Sequence, residues 1–249
     1  MVQNYTAKDI TVLEGLEPVR RRPGMYIGGV GPAGLHHLVW EILDNAIDEA
    51  MNGYASNIGL TIHSDGASVT ITDDGRGIPV DTHKKNRRSA LEVIFTTLHA
   101  GGKFEHQTYR TAGGLHGVGA SVVNALTKEL VATSVRDGAR WQQSFKQGKP
   151  TGALRRLGGA RGSCTTVFFR PDATIFPKTT FDADLIAERL EIASYLHKGV
   201  SIVFKDEKTA RKQVFSHQQG LFDYVQRMVR DRNGGPVHTS PLSVTRVHE

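Results

Sequence analysis

One stretch, from about 35 to 52, constrains this chain more than any other. At 100° per residue, Val39, Ile42, Leu43, Ala46 and Ala50 fall on one face of a helix, and His37, Glu41, Asp44, Asn45 and Asp48 fall on the opposite face. Such a helix must lay its apolar stripe against a second layer of structure. Its polar face carries Glu41, Asp44, Asp48 and Glu49 with no Lys or Arg, whereas solvated faces commonly mix signs through i,i+4 pairs. Carboxylates beside an amide oxygen suit a hard cation of the magnesium type, or a proton acceptor. His37 lies one turn before Glu41, close enough to orient it. The competing explanation is a buried stripe backed by an ordinary solvated face.

The remaining pattern alternates strands and helices. The first thirty-four residues read as an irregular arm, because Arg20-Arg21-Arg22-Pro23-Gly24 and the glycine cluster from Gly28 to Gly34 are expected to interrupt any helix. Ile58, Leu60 and Ile62, then Ala67, Val69 and Ile71, alternate with polar residues around Ser64-Asp65-Gly66, which predicts a hairpin. Leu91, Ile94, Phe95 and Leu98 form a helical stripe closed by Gly101-Gly102. A glycine-rich stretch leads to a short helix near 118–126. Strands are predicted near 129–136, 139–146, 164–170, 200–205 and 211–215, with a helix at 182–197. A helix at 218–230 and a strand near 237–246 read as the opening of a second domain. Strands mixed with helices predict an α/β sandwich.

Two loops stand out chemically. Asp73-Asp74-Gly75-Arg76-Gly77-Ile78-Pro79 follows a strand ending at Thr72. It reads as a tight turn, but its two glycines also let backbone approach a flat ligand, and a strand-end aspartate can accept from an exocyclic amino group. Gly113-Gly114-Leu115-His116-Gly117-Val118-Gly119-Ala120-Ser121 runs into a helix, whose free N–H groups make a candidate phosphate seat; a flexible loop before a helix has the same sequence signature.

Several chemistries are disfavoured. There is no G-x-x-x-x-G-K-[ST] phosphate loop. Gly29-Val30-Gly31-Pro32-Ala33-Gly34 matches G-x-G-x-x-G, but no convincing strand precedes it, so the match is read as accidental. His37 and Glu41 are spaced for zinc without a second metal-spaced cluster. Cys164 is the single cysteine, which excludes an internal disulfide and fits a cytoplasmic setting. No apolar run reaches the roughly 18 residues of a membrane span, and MVQNYTAKDI lacks the apolar stretch of a signal peptide. The net charge of +6 permits a nucleic-acid partner without requiring one.

Taken together, EILDNAIDEA (41–50), DDGRGIP (73–79) and HAGGKF (99–104) followed by GGLHGVGASVVNAL (113–126) resemble the nucleotide-binding motifs of the GHKL ATPases. RRPGMYIG, LHHLVWEILDNAIDEAMNG and TTVFFRPD are similar to segments of the B-type chains of DNA gyrase and topoisomerase IV, within bacterial type IIA DNA topoisomerases. The resemblance runs from Tyr5 to about Arg246. It implies an α+β two-layer sandwich, the GHKL or Bergerat fold, with a mixed sheet covered by helices on one face. It also implies a dimerisation arm at 1–15, an ATPase domain at 16–217, and the truncated start of a transducer-like domain at 218–249.

By the same resemblance, Glu41 is the general base that activates water, His37 supports it, and Asn45 ligates Mg2+ beside bound ATP. Asp73, helped by Thr165, reads adenine. Gly77, Ile78, Pro79 and Ile94 form the pocket walls, and Arg76 and Arg136 flank it. Gly101, Gly102 and Lys103, with Gly114, Leu115, His116, Gly117, Val118, Gly119 and Ala120, form a lid over the phosphates. Asp48 and Tyr109 join the nucleotide-binding set, and Tyr5 reaches the nucleotide of the other protomer. The implied partners are DNA, a gyrase A-type or topoisomerase IV A-type subunit, and a second copy when ATP binds, with no membrane. The implied function is ATP hydrolysis that closes a gate and drives DNA strand passage. The rival functions are an ATP-gated clamp of mismatch-repair or chaperone type, and a GHKL protein kinase. Two features depart from the family: Cys164 stands where a glycine is common, and the 83–88 stretch is unusually basic.

Overall fold

A computed structural model describes Thr6, residues 12–84, 87–101 and 117–232, His238 and Val244. The arm residue Tyr5 and the strand expected at 237–246 lie outside or almost outside these residues. The chain begins with two short helices, α1 (Glu17–Arg21) and α2 (Gly24–Ile27), followed by the long α3 (Pro32–Met51). The irregular arm expected through residue 34 is therefore corrected. Pro18 and Pro32 each sit in a first helical turn, where a fixed φ helps and the missing N–H costs nothing. Gly28 closes α2 in the left-handed region at φ 74°. Gly34 is packed so tightly that a Cβ there would lie 1.9 Å from the Gly29 carbonyl oxygen. The G-x-G-x-x-G stretch thus joins two helices, with no strand before it.

The hairpin forms as expected: β1 (Asn57–Ile62) pairs antiparallel with β2 (Val69–Asp73). Then come α4 (Ala90–Thr96), α5 (Gly119–Ala125), β3 (Thr127–Arg136) and β4 (Ala139–Lys146). Two short strands escaped the sequence pattern, β5 (Lys149–Pro150) and β6 (Arg155–Gly159), because neither has a run of alternating apolar residues. The chain continues with β7 (Cys164–Pro171), α6 (Ala183–Leu196), β8 (Ser201–Asp206), β9 (Arg211–Ser216) and α7 (Leu221–Asp231).

The nine strands among the described residues join one sheet in the order β5-β4-β3-β7-β2-β1-β8-β9, with β6 on β4. The β1–β8 pair is parallel, and the other strand pairs of the sheet are antiparallel. Alternation decides which face is covered. Leu60, Ile71, Leu130, Val167, Phe169 and Phe204 point into a core shared with Leu38, Leu43, Val123 and Leu190 from the helices. Their neighbours Thr61, Thr70, Thr133, Thr166 and Phe168 are half-buried. The result is the expected two-layer α+β sandwich with a mixed sheet. Against α6 lies α7, through the Tyr195–Tyr224 ring contact and the Arg227–Glu191 ion pair.

The arginine cluster expected to break helices instead anchors one. Arg20 Nη1 donates to the Ala125 carbonyl at 2.7 Å, and Nη2 donates to Asp172 Oδ2 at 2.8 Å, docking α1 on α5 and on the end of β7. Gln147 and Thr174 also donate to Asp172. Burial pushes the Asp172 carboxyl up, but Arg20, the Thr174 amide and hydroxyl, and Gln147 pull it down to about 2. A depressed carboxyl stabilises the fold above its unfolded value of 3.8, and that contribution is lost as pH falls towards 2. The thermal midpoint of the wild type should therefore fall more steeply between pH 5 and pH 2 than that of Asp172→Asn, as read by circular dichroism. Parallel acid limbs would count against this network.

Candidate functional site

Between α3, the end of β2, the 75–79 turn and the start of α5 lies a cleft of about 440 Å³, within the range of small-molecule sites. From residue 34 to residue 50, α3 has no exposed position. Most of its acidic stripe turns to this cleft. Glu41, Asp44, Asn45 and Glu49 form one wall.

At one end of the cleft, β2 delivers Asp73, which is only 6% exposed. Burial raises its carboxyl to about 7; the charges of Glu49 and Asp74 add to that rise, while the Gly75 amide opposes it at 3.0 Å. Glycine is needed at 75, since a Cβ there would lie 2.7 Å from Asp73 Oδ1. In the sheet Asp73 pairs with Thr165, and both line the cleft. Ile71 and Val167, two positions along each strand, supply its apolar floor.

The 75–79 turn is fixed from two sides. Gly77 has φ 74°, and a Cβ there would lie 2.6 Å from the Val135 carbonyl oxygen, so this turn packs directly on β3. Ser134 Oγ donates to the Ile78 carbonyl at 2.8 Å, and Arg136 Nη1 donates to the Gly77 carbonyl at 3.1 Å. Arg76 meets Glu49 with two hydrogen bonds of 2.7 and 3.0 Å, and its guanidinium lies 3.6 Å from the centre of the Tyr54 ring. Ile78, Pro79, Ile94 and Phe95 complete the apolar walls, with Arg76 and Arg136 also lining the cleft.

At the other end, His37 Nε2 lies 2.9 Å from Glu41 Oε1. The first residues of α5 press against the opposite side of the same carboxylate: a Cβ on Gly119 would lie 2.0 Å from Glu41 Oε2. Asn45 is steered by its Nδ2, which donates to the Glu41 carbonyl at 2.8 Å. Ala100, Gly101, Gly117, Val118 and Ala120 close this end.

The fold thus gathers Glu41, Asn45, Asp73, Arg76, Gly77, Ile78, Pro79, Ile94, Gly101, Gly117, Val118, Gly119, Ala120, Arg136 and Thr165 around one cleft. His37 reaches it through Glu41. Asp48 is a correction: it is 1% exposed and does not line the cleft. It lies on the Glu41 stripe two turns further on, where its charge acts on the half-buried His197 beyond α6. Tyr5, Gly102, Lys103, Tyr109, Gly114, Leu115 and His116 lie outside the described residues. Asp44, read from the sequence only as part of the acidic face, also lines the cleft; sequence reasoning missed Glu49 as the grip on Arg76, and also Ile42, Ile71, Phe95, Ala100 and Val167. The period of two along each strand could have found Ile71 from Asp73 and Val167 from Thr165.

Residues 31–173 match the histidine kinase-, DNA gyrase B- and HSP90-like ATPase family, and the chain belongs to it. Within that class its relatives are specific. It is 48% identical over 231 residues to the DNA gyrase B protein of Thermotoga maritima, covering 93% of this chain and 36% of that protein. It is 45% identical over 240 residues to the DNA gyrase B protein of Clostridium acetobutylicum, covering 96% and 37%. The structure aligns with the 43K ATPase domain of Thermus thermophilus gyrase B, solved in complex with an aminocoumarin. The TM-score is 0.84 and the identity 39%, over 94% of this chain and 59% of that one. The chain spans a little over a third of the length of these curated relatives.

The state of Asp73 sets a testable pH dependence. Its folded value near 7 lies above its unfolded value of 3.8, so protonation favours the fold. That stabilisation is complete below about pH 4 and is lost as pH rises through 7. Denaturant titrations from pH 5 to pH 8 should show a loss of stability that Asp73→Asn flattens. An unchanged slope in the variant would place the titrating group elsewhere.

Proposed function

We propose that the cleft binds ATP with magnesium and hydrolyses it, as the ATPase part of a cytoplasmic type IIA DNA topoisomerase of the DNA gyrase B kind. The observation that carries this reading is a single cleft with two chemically different ends. One is a buried acceptor suited to a base, and the other is a steered carboxylate beside a glycine-rich wall. The names of the relatives supply the topoisomerase context.

In this reading the base enters between Ile78, Pro79 and Ile94, and ionised Asp73 accepts from the exocyclic amino group of adenine. Thr165 stands beside it in the sheet. The phosphates lie along Gly117 to Ala120. Glu41 accepts the proton of the water that attacks the terminal phosphorus, ADP leaves, and His37 keeps the carboxylate aimed. The donor set at this end fits magnesium. Among the described residues no three His, Cys, Asp or Glu side chains form a closed metal cage, which suits an ion that arrives with phosphates and keeps its own waters. Asn45 would be its protein ligand, and the ion would neutralise phosphate charge. ATP-dependent pairing of two copies, an A-type partner and DNA strand passage complete the proposal. No described helix is long and apolar enough to cross a membrane.

General-base help is worth roughly 10²- to 10⁴-fold, so Glu41→Ala in the intact protein should lose turnover by that order while still binding ATP. A phosphate-release assay beside a binding titration reads both, and undiminished turnover would remove Glu41 from this role. Guanine presents a carbonyl where adenine has its amino group. Facing it would leave buried Asp73 unpaired, at a cost of about 1–3 kcal/mol. ATP should therefore bind at least about tenfold tighter than GTP by calorimetry, and equal affinities would refute the pairing.

A further inference from the structure

The stretch 138–164 contains six cations, Arg140, Lys146, Lys149, Arg155, Arg156 and Arg161, and no Asp or Glu. The chain has 31 Lys and Arg against 25 Asp and Glu, so the rest of it is balanced at 25 of each, and the whole net charge of +6 resides in this stretch. The stretch folds into the β4, β5 and β6 edge of the sheet, away from the α7 end. All six cations are exposed, and none makes an ion pair among the described residues.

Register concentrates the charge further. Lys146 and Lys149 are direct cross-strand partners at the end of a two-residue turn, an arrangement of like charges that destabilises a strand pair. Arg155 pairs with Gln142 and so projects on the same side as Arg140, while Arg156 pairs with Trp141 and projects on the other side, so the cations line both sides of this edge. A second basic element meets this edge. Gln143 Nε2 donates to Glu92 Oε2 at 2.7 Å and to the Gly152 carbonyl at 3.1 Å, and Arg88 lies 3.7 Å from the other Glu92 oxygen. Arg88 is thereby set beside the link between β5 and β6, on the side of the sheet that carries Gln143 and Phe145, and the exposed Lys84 and Arg87 are close to it in sequence. Solvated surfaces ordinarily intersperse both signs, so a one-sign field this dense calls for an anionic partner. Protein partners favour an apolar or aromatic anchor at the centre of an interface. The open side of β4 carries Gln142 and Ser144, with Thr133 opposite Gln142, and one exposed apolar side chain, Leu157, lies on β6; the make-up is mainly polar and cationic, of the kind that meets nucleic acid.

We propose that the β4–β6 edge, together with Lys84, Arg87 and Arg88, binds the phosphate backbone of duplex DNA without reading its sequence. This inference rests on the topoisomerase reading only for the choice of DNA as the polyanion, and it adds a contact surface outside the lining of the cleft. Neutralising phosphates releases counterions, so affinity falls with salt in proportion to the number of contacts.

The test is fluorescence anisotropy of a labelled duplex with the 249-residue chain across a salt series, with ATP affinity measured on the same samples. The variant Arg155→Ala/Arg156→Ala/Arg161→Ala should weaken binding on the order of tenfold or more at low salt. It should also make the slope of log affinity against log salt shallower by about 3, since each phosphate contact contributes about 0.9. Lys146→Ala/Lys149→Ala, on separate strands, should weaken binding too while leaving thermal stability equal or higher, because it removes a facing like-charge pair. Lys178→Ala/Lys205→Ala/Lys212→Ala removes the same charge elsewhere and should weaken binding far less. Equal losses in that control, or unchanged slopes in both edge variants, would overturn the proposal. ATP binding should persist in every variant. A wild type that binds DNA through these residues but does not bind ATP would sink the ATPase reading and leave this surface standing, and the converse result would do the opposite.

Discussion

Carboxylates removed from water govern this structure. The helix α3 is enclosed along most of its length yet carries Glu41, Asp44, Asp48 and Glu49, and β2 ends on buried Asp73. Desolvating a carboxylate is costly unless it is paired or hydrogen-bonded. The fold answers three of these separately: Arg76 grips Glu49 with a two-pronged contact, His37 meets Glu41, and the Gly75 amide reaches Asp73. Where that help falls short, at Asp73, the group holds its proton to near neutrality.

Glycine sets how closely the walls approach. At 34, 75, 77 and 119 a single added carbon would lie within 3 Å of a backbone or carboxylate oxygen. These positions bring α2 to α3, the turn to Asp73, the turn to β3, and α5 to Glu41. The same residue type that looks like an interruption in the sequence is, in space, the spacer that sets distances around the cleft.

Much of this is legible in the chain. The period of α3 and the β1–β2 hairpin follow from spacing alone, and the motif set points to the cleft residues that the fold gathers. What escapes depends on three dimensions. The 3.6 period places Asp48 with Glu41 because it knows direction but not where the cleft ends, two turns away. Glu49 looks like one more acid until Arg76 arrives from 27 residues further on. Arg20 and Pro32 read as breakers, because the signal for a short helix near a terminus is a docking partner such as Asp172, 152 residues distant. β5 and β6 lack any apolar alternation, being held by pairing with β4.

The parallel joint between β1 and β8 has a consequence for how the chain is made. Asn57 lies opposite Ser201, so nearly the whole domain must leave the ribosome before β1 gains its second neighbour. Until then one edge of β1 offers unpaired backbone groups beside the apolar side chains of Ile58, Leu60 and Ile62. Such an edge is a template for mispairing, and pairing across so long a loop is slow. The antiparallel strands that carry Asp73 and Thr165 can assemble earlier, whereas the layer outside them closes last. The nascent protein therefore passes through a stage in which every residue lining the cleft has been made while its sheet is still open on one side, and during that stage the exposed edge of β1 is most prone to aggregation.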